Sequence, residues 1–221
     1  MELWTYRPED FLLFSPRVYW RLFELHNAAW WPLPLATWAA GLAFLLVVLR
    51  GQAAASRWIP LALAVFWAFV AWSFLWGRFT AINWVIAYVV PAFGVQALML
   101  AVDGLRRRGP VFEGKSPAAR IGLLLAATCL VGYPLLPPLF GRPWTEAEIF
   151  GLAPDPTAIV TVGFVLAAQG GFARALLVIP LLWLLLSSLT LWTMGDGQAW
   201  LPFLAVTIAI AALPLRRRIA E

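Results

Sequence analysis

Five residues between the apolar runs of this chain have side chains suited to chemistry: His26, Glu146, Glu148, Asp155 and Asp196. If they converged, they would form an acidic vestibule able to attract a cation. A simpler reading fits Asp155. With Pro156 behind it, Asp155 reads as the N-cap of the next helix, where a carboxylate meets free N–H groups and the helix dipole. His26 is the only histidine and sits beside Asn27 and Trp30. One imidazole suffices as the axial ligand of a haem or chlorophyll, whereas metal sites normally need several ligands. The cofactor question is therefore open. Cys129 is the only cysteine and lies in an apolar run, so it reads as a small buried hydrophobe. Nucleophile motifs, phosphate-cradling glycine loops and HExxH-type zinc motifs are absent, and no enzyme is expected.

A second set of polar residues falls inside apolar runs: Asn83, Gln96 and Gln169, with Thr128, Ser187, Ser188 and Thr190. In lipid such groups usually bond to a neighbouring helix. Their alternative role is to line the path of a small solute. No Asp, Glu, Lys or Arg falls securely within a run, which argues against a proton-coupled pump.

The elements that must position these residues are membrane spans. Hydrophobic residues make up 62% of the 221 positions and charged residues 12%; a soluble domain is nearer half and a quarter. Mean hydropathy is +0.82. Seven apolar stretches are expected to cross a bilayer, at about 28–49, 58–77, 79–102, 119–140, 156–170, 172–194 and 198–215. The fifth covers only roughly 22 Å at 1.5 Å per residue, short of a ~30 Å hydrocarbon core. Gly77-Arg78 makes the second and third a tight hairpin. The fold class is an all-α membrane protein, with 1–27 an N-terminal interfacial segment and 28–221 the polytopic bundle.

Residues 1–27 contain two helix starts, at Pro8-Glu9-Asp10 and at Ser15-Pro16. After the second, Val18, Leu22 and Leu25 form an apolar stripe opposite Arg17, Arg21 and Glu24, as in a helix lying in the interface. The opening MELWTYRPEDF is acidic and aromatic, so the first span is expected to serve as its own insertion signal.

Charge sets the orientation. With the N-terminus outside, eleven of the 16 basic residues lie inside and five outside. The positive-inside rule then gives N-out and C-in. Arg106, Arg107 and Arg108 anchor the main inner loop, and Arg216, Arg217 and Arg218 the C-terminus, where they meet anionic lipid. Nucleic acid is not an expected partner. Tryptophan is lopsided too. Trp30, Trp31, Trp76, Trp84, Trp144, Trp192 and Trp200 fall near the outer interface, with Trp4 and Trp20 on that side, and only Trp58 sits clearly at the inner one. That exceeds an ordinary aromatic belt and suggests an outer platform for a partner or a flat ligand.

The run Trp4-Thr5-Tyr6-Arg7, then Asp10 to Arg17, Tyr19 and Arg21 to Leu25, resembles the opening signature of a family of bacterial integral membrane proteins of unknown function. Ile82-Asn83-Trp84, Gln96-Ala97-Leu98, Pro156-Thr157 and the run Val178 to Trp183 extend the resemblance over nearly the whole chain. It implies that a Cys often precedes the Pro-Thr pair, where this chain has Asp155. The expectation is a multi-pass protein of a bacterial inner membrane. Its favoured role is a non-enzymatic subunit or scaffold that docks a membrane-protein partner or lipid on its outer face. The alternative is a small-solute permease or channel lined by Asn83, Gln96 and Gln169.

Overall fold

The computed structural model describes residues 14–52, 55–106, 110–112, 116–170 and 174–216. The expected helix start at Pro8, Trp4, and Arg107, Arg108, Arg217 and Arg218 lie outside the described residues. The chain is all-helical. In order it runs α1 (Pro16–Ala29), α2 (Leu33–Leu49), α3 (Ala55–Phe69), α4 (Val90–Leu105), α5 (Pro117–Gly132), α6 (Leu136–Leu139), α7 (Pro154–Ala167), α8 (Val178–Thr193) and α9 (Trp200–Ala212). A short antiparallel pair joins β1 (Val111–Phe112) to β2 (Ala168–Gln169), with Val111 opposite Gln169.

Among the described residues, five helical segments are long and apolar enough to cross a membrane: Arg57–Ala81, Trp84–Leu105, Pro117–Leu139, Ala175–Thr193 and Gly197–Leu215. A sixth arises if α1 and α2, bent by 91° at their junction, count as one broken span. The first and fifth expected spans correspond to α2, of 17 residues, and α7, of 14.

The reason α7 can be short is its position. All fourteen of its residues are buried. A helix apolar all round belongs in a core, and α3, α5, α8 and α9 sheathe this one. The closest approach is between α5 and α7. A Cβ on Gly122 would lie 2.4 Å from the Gly163 carbonyl oxygen, and one on Gly163 would lie 2.5 Å from the Gly122 oxygen. Only glycine permits that backbone contact, the usual small-residue device of helix pairs in lipid.

Ser15 caps α1 as its sequence suggests, accepting from the Val18 N–H, with Pro16 in the first turn. The face packed on the bundle is mainly aromatic. Tyr19, Trp20, Leu22, Phe23 and His26 point inward, while Val18 and Leu25 are exposed. The aromatic side chains bury more area than the aliphatic stripe and set the rotation of the helix.

The 79–102 stretch is also interrupted. The chain leaves α3 through a π-helical turn at Val70–Trp76, then takes 3-10 turns at Phe79–Ala81 and Trp84–Tyr88 before Pro91 opens α4. Gly77 is required at the corner, because a Cβ there would lie 2.7 Å from the Ser73 carbonyl oxygen.

The loops sort into two ends. At one end, Arg216 donates to the Ala168 carbonyl at 2.6 Å and β1 pairs with β2. At the other, α1 lies against the 140–153 connection and the 194–199 turn.

Candidate functional site

The second end gathers most of the residues singled out by type. Asn27 on α1 donates to the carbonyls of Thr145 at 2.9 Å and Ala147 at 2.8 Å, which fastens α1 across the connection. The Trp20 indole N–H donates to Asp196 at 3.0 Å, and Asp196 also accepts from the Gln198 N–H at 2.8 Å. The Arg142 guanidinium stacks on Trp20, 3.3 Å from the ring centroid. Arg142 also donates to the Gln198 side-chain oxygen Oε1, and the side-chain N–H of Gln198 donates to Glu148 at 2.6 Å. Gln198 thus links a cation and a carboxylate that do not touch. Glu146 lies 3.9 Å from Arg142.

Burial pushes the Glu148 carboxyl well above the usual carboxylate range, and the nearby Asp155 charge adds to this. The Arg142 charge and the Gln198 hydrogen bond oppose it. The other Glu148 oxygen and the Tyr133 hydroxyl are buried without a partner among the described residues.

Asp155 lies deeper and is fully buried. It is not the N-cap of its helix. Ala153 holds that position, Pro154 is the first helical residue, and Asp155 falls inside the first turn. Its two oxygens instead accept from the Trp183 indole at 2.7 Å and the Ser187 hydroxyl at 2.6 Å, both on α8. Two extra residues of helix turn the carboxylate from the backbone to a neighbouring helix. Three acidic residues are therefore buried among the described residues: Glu148, Asp155 and, near the end of α4, Asp103.

The acidic residues converge, but with Arg142 among them. Among the described residues no group of three His, Cys, Asp or Glu could hold a metal ion. His26 stands apart, in a pocket of Trp30, Phe69 and Phe74 rings. Its Nδ1 accepts from Arg78 Nε at 3.2 Å, and its Nε2 is buried. Neither nitrogen is open to an axial ligand. Burial, with a smaller contribution from Arg78, lowers its pKa to about 4. Cys129 is buried, with its sulfur 3.8 Å from the Pro156 carbonyl.

The rim of this end is tryptophan. Trp31, Trp76, Trp84, Trp144, Trp192 and Trp200 are 59% to 69% exposed, and Trp30 is half-buried. Trp72, inside the second expected span, joins them at 60%. Trp58, 61% exposed, is on the first turns of α3 at the opposite end.

The polar intramembrane residues lie in separate places. Asn83 caps the 3-10 turn, accepting from the Val85 N–H at 3.1 Å. Gln96 donates to the Leu176 carbonyl at 3.0 Å, tying α4 to the turn before α8. Gln169 pairs with Val111 at the opposite end. Arg106 follows α4 directly and Arg216 follows the last turn after α9.

Residues 16–221 match the model of DUF6064, a family of unknown function. The chain belongs to that family. The DUF6064 match takes in α1 through α9, and so every residue of the tryptophan-rimmed end described above. No curated protein and no solved structure matches the chain.

Proposed function

We propose that this chain is a seven-span protein of a bacterial inner membrane, N-out and C-in, that works as a non-enzymatic subunit or scaffold. Its tryptophan-rimmed outer end docks a membrane partner or lipid. The observation that carries this reading is the pairing of a locked interior with an exposed rim. Six side-chain hydrogen bonds from Trp20, Asn27, Arg142 and Gln198 hold the end rigid, while the indoles around it stay open. A rigid base with amphipathic anchors is what a docking surface needs, because little side-chain entropy is lost on contact.

The basic residues support the orientation. Arg106 and Arg216 flank the end opposite the tryptophans, where the positive-inside rule places the cytoplasm. Seven crossings are compatible with α2, whose 17 residues reach the lower limit for a span, and with the shorter, fully buried α7. A helix sheathed by protein need not match the bilayer thickness, since its backbone ends meet protein groups rather than lipid. A permease has less support: α7 fills the middle of the bundle, and Asn83, Gln96 and Gln169 do not form a line.

The test is the mass of the full chain, purified gently from its own membranes. The reading expects a stoichiometric partner or retained lipid. A bare chain that carries solute across vesicles would overturn it.

A further inference from the structure

One concave feature of the rim is built differently from the rest. Between the end of α1 and the π-helical turn lies a pocket of about 370 Å³, lined by Trp30, Trp72, Ser73, Trp76 and Arg78. Trp30 and Trp72 meet edge to face at 5.9 Å. Trp72 and Trp76 both project from the π turn, whose i to i+5 bonding the Gly77 N–H continues to the Trp72 carbonyl at 3.1 Å. Such turns are rare and concentrate at functional sites.

Arg78 is the only charged residue lining this pocket. Its Nε donates to His26 Nδ1, which fixes the guanidinium plane. Among the described residues its two terminal nitrogens make no hydrogen bond, and no carboxylate lies within ion-pair distance. The indole N–H groups of Trp30, Trp72 and Trp76 likewise have no partner among the described residues. A cation with unpaired terminal nitrogens, set among three indoles in one pocket, has a specific complement. That complement is an oxyanion attached to something apolar. A guanidinium grips phosphate with two parallel hydrogen bonds, and Trp belongs at the headgroup level. An aromatic cage could also hold a quaternary ammonium, but Arg78 repels one.

We infer that this pocket seats the phosphate of an anionic phospholipid of the outer leaflet, gripped by Arg78 and walled by Trp30, Trp72 and Trp76. The inference rests on reading the tryptophan-rimmed end as a docking surface, and it names one ligand there. His26 is a positioning residue, since it holds Arg78 without touching the lipid.

The test is native mass spectrometry on delipidated full-length protein titrated with phosphatidylglycerol. One molecule should bind more tightly than phosphatidylcholine does. Arg78→Gln should weaken it about tenfold or more, as loss of a charged hydrogen-bonding partner predicts, and Arg78→Lys should restore part. Arg17→Gln, at an exposed position of α1, should change nothing. Should Arg78→Gln fail to fold, Trp76→Ala carries the same expectation at an exposed side chain. Undiminished binding in the variants, or equal binding of phosphatidylcholine, overturns the seat. So does displacement of the lipid by inorganic phosphate alone. If Trp144→Ala and Trp200→Ala abolish binding while Arg78→Gln does not, the seat fails and the docking reading stands. If the wild-type chain retains neither lipid nor partner, both fail.

Discussion

Asp155 on α7 accepts the indole N–H of Trp183 on α8 at 2.7 Å, deep in the bundle. The Ser187 hydroxyl fills the other carboxylate oxygen at 2.6 Å. Asp155→Ala would strand two buried donors, at about 1–3 kcal/mol each. We expect it to lower the unfolding midpoint in a denaturing-detergent titration markedly. Asp155→Asn, which keeps one acceptor, should lose about half as much. Equal stability of all three proteins would show that the carboxylate does not hold α7 to α8.

Gly163 tests the crossing of α5 and α7. Its Cβ would meet the Gly122 carbonyl oxygen at 2.5 Å, and that oxygen is backbone. Relief requires the helices to part. Overpacking of this kind costs about 1–3 kcal/mol, so Gly163→Ala should be clearly destabilised in the same titration and Gly163→Leu should not fold. Gly132→Ala, with open space around it, is the neutral control.

His26 should make the fold sensitive to acid. Its folded pKa is lowered from 6.5 to about 4, so on acidification the unfolded chain takes up the proton first. The contribution is fully present above pH 6.5 and is lost as the pH falls toward about 4. The total is on the order of 3 kcal/mol. His26→Gln should flatten stability over that interval, measured as the denaturation midpoint against pH. An unchanged slope would mean that another group governs it.

Glu148 has the opposite sign. Its folded pKa is raised, first by burial and then by Asp155. Stability therefore declines as the pH rises above the unfolded value of about 4.3. Glu148→Gln mimics the protonated group and keeps an acceptor for Gln198. It should match or exceed the wild type at neutral pH, whereas Glu148→Ala, which leaves the Gln198 amide unpartnered, should fall below it.

Much of this architecture was legible in the chain. The Ser15-Pro16 start of α1 is a local signal, and local signals survive folding. The loops that share an end follow from the alternation of apolar runs and short polar links along the chain. The brevity of α7 was visible as a short apolar run; its burial was not, since periodicity says nothing about a helix covered on all sides. The aromatic face of α1 that packs on the bundle was not legible, because spacing ranks Val18 and Leu25 equally with Tyr19 and Phe23, while packing weighs them by area. The role of Asp155 turned on a two-residue shift of the helix start, beyond what capping preferences resolve. Arg142 carried no sequence signal at all. Its meeting with Trp20 and Gln198 joins residues more than fifty positions apart, and only the tertiary fold creates it.

Photo-crosslinking in native membranes tests most directly whether the tryptophan rim is a docking surface. A photoreactive amino acid would replace Trp144, Trp200 or Trp58 in turn. Trp144, Trp200 and Trp58 have similar exposure, 59%, 69% and 61%, so residue type and accessibility are matched and only the end of the bundle differs. A discrete adduct from positions 144 and 200, and none from 58, is the predicted result. Equal adducts from all three, or adducts from position 58 alone, would contradict it.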